Sequence, residues 1–292
     1  MTPPSHDKDI AALIRLIDEP DERIFGQIRG QILSLGTYAV PMLENAWENT
    51  FDEFSRSRLE EIIQSINHQS VLTDLTNWAH FDPSDLLKGA LLLSKYFFHS
   101  LDVERVTREI GQIMQDVWLE MNDRMNPLDK IRVINHILYD IHKFTVVKPE
   151  NNSIPNYFIH NVLDIKRGNS LSLGVLYIST AQSLKLPVYG VDLPFNFVLS
   201  YLERDPGTYL RTPEEDPVMF YINPVFKGKV FIRHEIDRFL KESKMEIQPR
   251  YYQPCSNVSV LRRLTAELRS AFEKEGSTEK AVSLDAVLSI LQ

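Results

Sequence analysis

Arg167-Gly168-Asn169-Ser170-Leu171-Ser172-Leu173-Gly174 runs directly into Val175-Leu176-Tyr177-Ile178-Ser179-Thr180-Ala181-Gln182-Ser183-Leu184. A Gly-Asn turn, with Gly168 supplying the backbone freedom, feeds a hydroxyl residue into the first turn of a long and largely apolar helix over 170–184. Ser170 is expected to cap that helix, its oxygen accepting from the N–H of Ser172 or Leu173. Beyond Pro187 the hydrophobic period changes. Aromatic and β-branched runs predict strands at 187–193, 195–202 and 219–223, with Lys227-Gly228-Lys229-Val230-Phe231 as a fourth. One buried helix followed by sequential strands is the pattern of an α+β core with a small antiparallel sheet.

Upstream of this stretch the chain reads as helical. Ile10, Leu13, Ile14 and Ile17 make one apolar face, and Ile24, Ile28, Ile32 and Leu35 make a second that stops at Gly36. Pro41 opens a third helix through Leu43, Ala46 and Trp47, and Leu59, Ile62, Ile63 and Ile66 mark a fourth. The antiparallel pairing implied by the first of these resembles a HEAT-type repeat unit. Asp82-Pro83-Ser84-Asp85 starts a hydrophobic segment to Phe98, and helical spacing also fits 103–121, 127–142 and 156–163. Phe144 to Val147 is the strand candidate in this half. Downstream, Asp205-Pro206-Gly207-Thr208 reads as a turn and 211–217 as a polar connection. Residues 232–240 return to helix, and 258–274 and 279–291 form a helical pair joined at Gly276-Ser277. The division this suggests is a helical domain over 1–150, an α+β core over 151–245 and a closing helical pair over 246–292.

The chain has 292 residues, enough for two domains or three small ones. Its net charge of -8 argues against a nucleic-acid or anionic-membrane partner, either of which needs a concentrated basic face. The single cysteine, Cys255, excludes an internal disulfide framework and a thiolate metal cluster, and is expected to act as a small buried hydrophobe. The polar first residues lack the apolar run of a signal peptide, and no stretch is apolar enough to span a bilayer, so a cytoplasmic location is expected. The histidines show no metal-ligand spacing; His136 and His142 are expected to be one structural and one exposed. Trp47, Trp78 and Trp118 all read as core residues. No cofactor and no metal are expected.

The succession of helix and strands, with polar residues at the helix start and on two adjacent strands, resembles the transglutaminase-like (papain-like) superfamily. The closer resemblance is to its SirB-type bacterial branch. It rests on Asn161 to Asn169, Leu171 to Tyr177, Leu186 to Pro194, Phe197-Val198-Leu199, Ile222-Asn223-Pro224 and Pro254-Cys255-Ser256-Asn257. The resemblance implies a helical domain before the core and tetratricopeptide-like helices after it. In catalytic relatives a cysteine begins the long helix, a histidine lies in a Pro-Gly-His-Phe run and an aspartate in an Ile-Asp-Pro run. Those three positions fall on Ser170, Asn196 and Asn223.

The substitutions remove the chemistry. A thiolate near a helix N-terminus is a nucleophile at neutral pH, whereas a serine hydroxyl needs a base to take its proton. Asn196 has no titratable acceptor, and Asn223 has no imidazolium to stabilise. Asn196 and Asn223 are instead expected to hydrogen-bond each other or nearby backbone. Ser170, Tyr177, Asn196 and Asn223 are the candidates for a retained pocket, and Asp192 for a carboxylate beside it. The expectation is a non-catalytic, cytoplasmic protein-binding or regulatory module with an unidentified protein partner. The alternative is a hydrolase or acyltransferase of atypical mechanism, working in a cleft near Ser170.

Overall fold

Why the chain changes from helix to sheet at residue 187 is visible in what the strands bury. In the computed structural model, which describes residues 4–203 and 217–292, β3 (Val188–Val191) and β4 (Val198–Leu202) expose almost nothing. Strands covered on both faces need continuous apolar sequence rather than alternation. With β5 (Val218–Asn223), β6 (Lys229–Phe231) and β7 (Pro254–Cys255) they form a sheet ordered β6-β5-β4-β3-β7, antiparallel throughout. The turn read at 205–208 and all but the last residue of the connection read at 211–217 lie outside the described residues.

One sheet face packs on α9 (Ser170–Ser183) and on α11 (Asn257–Lys274). The ring of Phe197 fits there only because two neighbours lack side chains. A Cβ on Gly174 would stand 2.5 Å from its Cε1, and one on Gly190 would stand 2.7 Å from its Cζ and 2.8 Å from Val260. The other face packs on α10 (Arg233–Glu242), where Ile236 and Leu240 meet Val191, Val198, Tyr221 and Tyr252. Helices on both faces of a sheet make a three-layer α+β core.

The helical region before the core follows the apolar periodicity. It comprises α1 (Pro4–Ile14), α2 (Glu22–Ser34), α3 (Val40–Asn49), α4 (Glu53–Phe81), α5 (Leu86–Phe97), α6 (Val103–Glu120) and α7 (Pro127–Asn135). Side chains that compete poorly inside a helix begin several of them. Asp21 accepts from the Arg23 and Ile24 N–H groups, Asp102 from Arg105 and Asn126 from Asp129. The helix expected over 127–142 ends its α-helical part at Asn135 and continues as a π-helical turn, His136–Ile141. Thr145–Val146 (β1) pairs in parallel with Arg167–Gly168 (β2), and α8 (Ile159–Ile165) lies between them in sequence.

Two compact units result, residues 1–74 with 95–99, and residues 75–94 with 100–292. These follow packing, whereas the three-part division at 150 and 245 follows composition along the chain. In the first unit Ile10, Ile32, Leu43 and Ile62 are fully buried, and Arg58 closes one end of the core. Its guanidinium donates to the Ile17 and Glu19 carbonyls at 2.9 and 2.6 Å and to Glu22 at 2.5 Å, over the faces of Phe25 and Phe54. In the second unit α12 (Thr278–Ile290) packs on α11, and α11 sits directly against α9 and β3.

Trp78 is buried as expected, but Trp118 is 64% exposed. The buried stripe of α6 is Val106, Ile110, Ile113 and Val117, and residue 118 lies off it.

Gly174→Ala and Gly190→Ala should each lose about 1–3 kcal/mol by driving a methyl into Phe197 or its neighbours. Gly26→Ala and Gly111→Ala, at helix positions with nothing within 4 Å, should instead gain up to about 1 kcal/mol. Urea midpoints for the four variants check both signs.

Candidate functional site

The start of α9 is held by Asn169 and not by Ser170. Asn169 Oδ1 accepts from the N–H groups of Leu171 and Ser172 at 3.0 and 2.9 Å, and Ser172 Oγ accepts from the Asn169 N–H at 3.0 Å. This is a reciprocal capping box shifted one residue back from the expected cap. Asparagine ranks with serine as an N-cap, so residue type alone left 169 and 170 equally eligible. Ser170 is the first helical residue, half-buried, with no capping role.

The remaining polar candidates scatter. Tyr177 is fully buried, and its hydroxyl donates to Asn135 Oδ1 at 2.9 Å. Asn135 Nδ2 in turn donates to the Gly228 carbonyl at 2.9 Å, and Tyr139 donates to the Pro224 carbonyl at 3.0 Å. Gly228 has φ +69°, and a Cβ there would collide with the Asn135 amide. Burial holds both phenols well above the ordinary tyrosine range, so they act as neutral donors. Tyr177 thus ties α9 to α7 and to the β5–β6 connection, its side chain fully buried.

Asp192 is paired with Arg263 of α11 at 2.5 Å. The same Nη1 donates to the Leu193 carbonyl at 2.9 Å, and the guanidinium stands 5.6 Å from the Phe197 ring centroid. Cys255 is only half-buried and sits in β7, with its backbone opposite Gly190. Desolvation, reinforced by the Asp192 carboxylate, pushes its thiol up to about 12, so it is not a thiolate at neutral pH.

Asn196 and Asn223 do come together. Both line a cleft of about 300 Å³ on the α10 side of the sheet, with Val198 and Ile236 at its apolar base and Lys229 and Glu235 among its polar walls. Asn223 Oδ1 accepts from the Val225 N–H at 3.0 Å, so it bonds backbone and not Asn196, which is exposed. Three residues before β4 the chain turns through Phe195, which is 82% exposed at φ +61°. Ser170 does not line this cleft. It starts the helix that packs, through Gly174, on the opposite sheet face.

Lys229 and Glu235 went unread in the sequence, where β6 and the helix at 232–240 were recognised as elements but not as walls of a cleft. Their signal was position, one strand and one helix turn beyond Asn223. A histidine pair also escaped the spacing rule. His68 and His99 lie 31 residues apart, yet their rings meet edge to face at 4.8 Å, and His68 Nε2 lies 3.0 Å from the Tyr96 carbonyl. Desolvation, with His68 and Lys95 nearby, lowers the His99 pKa. Among the described residues no group of three or more His, Cys, Asp or Glu side chains is arranged to hold a metal ion. No helix among them is long and apolar enough to cross a membrane.

Asn169→Ala should lower stability by about 1 kcal/mol through loss of the cap. Ser170→Ala should change it by less than about 0.5 kcal/mol. Thermal melts of the two variants side by side distinguish this arrangement from one in which Ser170 is the cap.

Comparison with known proteins places this geometry. The model of the transglutaminase-like superfamily matches residues 104–266, more than half of the chain. A UPF0162 protein of Vibrio cholerae is 25% identical over 198 residues, covering 67% of this chain and 69% of its own length. Protein SirB1 of Salmonella typhimurium is 21% identical over 211 residues, covering 71% and 74%. F-box only protein 21 of Mus musculus is 27% identical over 143 residues, which is 49% of this chain and 22% of that protein. No solved structure matches the chain. The matched span runs from α6 through the sheet into α11, and with its likeness to SirB1 and the UPF0162 protein the chain belongs to the transglutaminase-like superfamily, in the SirB-type branch.

Proposed function

We propose that this chain is a non-catalytic member of its superfamily, a cytoplasmic protein-binding or regulatory module. The observation that carries the proposal is the cleft in which Asn196 and Asn223 face each other's surroundings as neutral amides, with Ser170 outside it. Neither amide takes a proton, and Asn223 already spends its oxygen on the Val225 N–H. The other two polar candidates are committed to structure, Tyr177 to Asn135 and Asp192 to Arg263. A cleft in which neither Asn196 nor Asn223 serves as acid or base still binds. Its apolar base, and the 67% exposed Phe226 on its wall, suit a protein segment that brings an apolar side chain and a polar backbone. The net charge of -8 disfavours nucleic acid as that partner.

A second reading rests on Glu235, a carboxylate lining the same cleft: an atypical hydrolase or acyltransferase with Glu235 as base. One screen separates the two. Purified protein assayed with peptide amides, γ-glutamyl amides, primary amines and esters should show no turnover above buffer. Turnover abolished by Ser170→Ala or Glu235→Gln would replace the binding module with the enzyme.

A further inference from the structure

Far from the Asn196–Asn223 cleft, and sharing no lining residue with it, a larger cavity of about 870 Å³ opens at the C-terminal end of α9. That is within the roughly 300–1,000 Å³ of small-molecule sites. Its walls come from separate stretches of chain, the start of α5, the end of α9 with the first residues of β3, and the start of α11. A pair of amides, Asn257 buried and Gln182 half-buried, fastens these stretches together. Asn257 Nδ2 donates to the Pro83 and Ser84 carbonyls at 3.1 and 2.9 Å and to Gln182 Oε1 at 3.0 Å. Gln182 Nε2 donates to the Val188 carbonyl at 2.9 Å. The cavity is therefore framed before anything enters it, which is the condition for tight binding of a small molecule.

One lining residue has no account in the fold. Ser179, 6% exposed, has a hydroxyl without a hydrogen-bond partner. Other buried hydroxyls inside helices turn back one turn and donate to a carbonyl. Ser94 does so to Ala90 at 3.0 Å, Thr180 to Leu176 at 2.8 Å and Thr265 to Leu261 at 2.8 Å. Ser179 does not, and it lines the cavity. A buried hydroxyl left unpaired is unfavourable, and a ligand that bonds it removes the penalty.

The chemistry of the walls selects the ligand. Leu86, Met114, Leu186 and Tyr201 give an apolar interior. The charged lining residues, Asp85, Lys185 and Glu203, are all exposed and of both signs, so they offer no buried partner for an ionic head. An ion carried into the interior would lose its hydration without recovering it. We propose that this cavity is a binding site for a small uncharged organic molecule, its apolar body against Leu86, Met114 and Leu186 and its hydrogen-bonding head on the Ser179 hydroxyl.

The test uses NMR titration of the full chain with phenol, benzyl alcohol, toluene, benzylamine and benzoate. Phenol and benzyl alcohol should saturate, shifting resonances around Ser179, Leu186 and Tyr189. Ser179→Ala removes only an unpartnered hydroxyl, so the variant should fold. It should weaken phenol about fivefold to tenfold, the worth of one net hydrogen bond, and leave toluene unchanged. Met114→Trp, at a half-buried wall position, should fill the space and abolish binding of every probe. The proposal is overturned if phenol and benzyl alcohol fail to saturate, or if their shifts map elsewhere. It is equally overturned if Ser179→Ala affects phenol and toluene alike, or if benzylamine or benzoate binds more tightly than phenol. Phenol binding retained by a folded Met114→Trp protein also refutes it.

Discussion

Phe197 sets the spacing on which the α+β core depends. Its ring occupies the space left by the missing side chains of Gly174 on α9 and Gly190 on β3, with Val260 of α11 closing the third side. Interiors are packed tightly enough that a single added methyl is felt, so these two positions tolerate no Cβ without movement of helix or sheet. The distance between α9 and the sheet, once fixed, places Tyr177 within reach of Asn135 and thereby orients the β5–β6 connection that follows Asn223. Arg263 then stands near the same ring and fastens the β3–β4 loop through Asp192 and Leu193. The loop after β3 and the end of β5 are held by this packing.

The scaffold is thus held by packing that is independent of any reaction chemistry. The aromatic wedge, the glycine pair and the buried tyrosines make no use of a nucleophile or a base. Asn196 stands at an exposed loop position and takes part in none of those contacts. Asn223 has a local task, accepting from the Val225 N–H at the start of a 3-10 turn. The atoms that hold the fold are not those that would carry out a reaction, and fold alone does not fix function.

Much of the architecture was legible because it is written in periods of 3.6 and 2. The long helix at 170–184 and the four principal strands fall where those periods change, with ends displaced by a few residues. What escaped was local or long-range. A two-residue strand such as β7 or β2 has no period at all and exists only because Gly190 or Val146 lies opposite. Asn169 and Ser170 are adjacent and both competent as caps, so the choice between them belongs to backbone geometry. Trp118 sits one residue past a buried Val117, and helical rotation alone turns it outward. The cleft was half legible, since Asn196 and Asn223 were picked out by their positions, while Tyr177 looked polar at its tip and proved to be core. The His68–His99 contact and the Ser179 cavity are products of tertiary folding that no spacing rule reports.

The strand that completes the sheet has a consequence for how the chain is made. β3 pairs with β4 on one side and with β7 on the other, and β7 lies at Pro254–Cys255, directly ahead of the Asn257 side chain that fastens α5, α9 and α11. On a translating ribosome, β3 to β6 emerge before either feature. Through that interval the nascent chain presents β3 as an open row of unpaired N–H and C=O groups beside an unroofed apolar face, the kind of edge on which one unfinished chain joins another. The hazard ends when Pro254–Cys255 docks, so a short, barely periodic segment decides how long each newly made molecule stays adhesive.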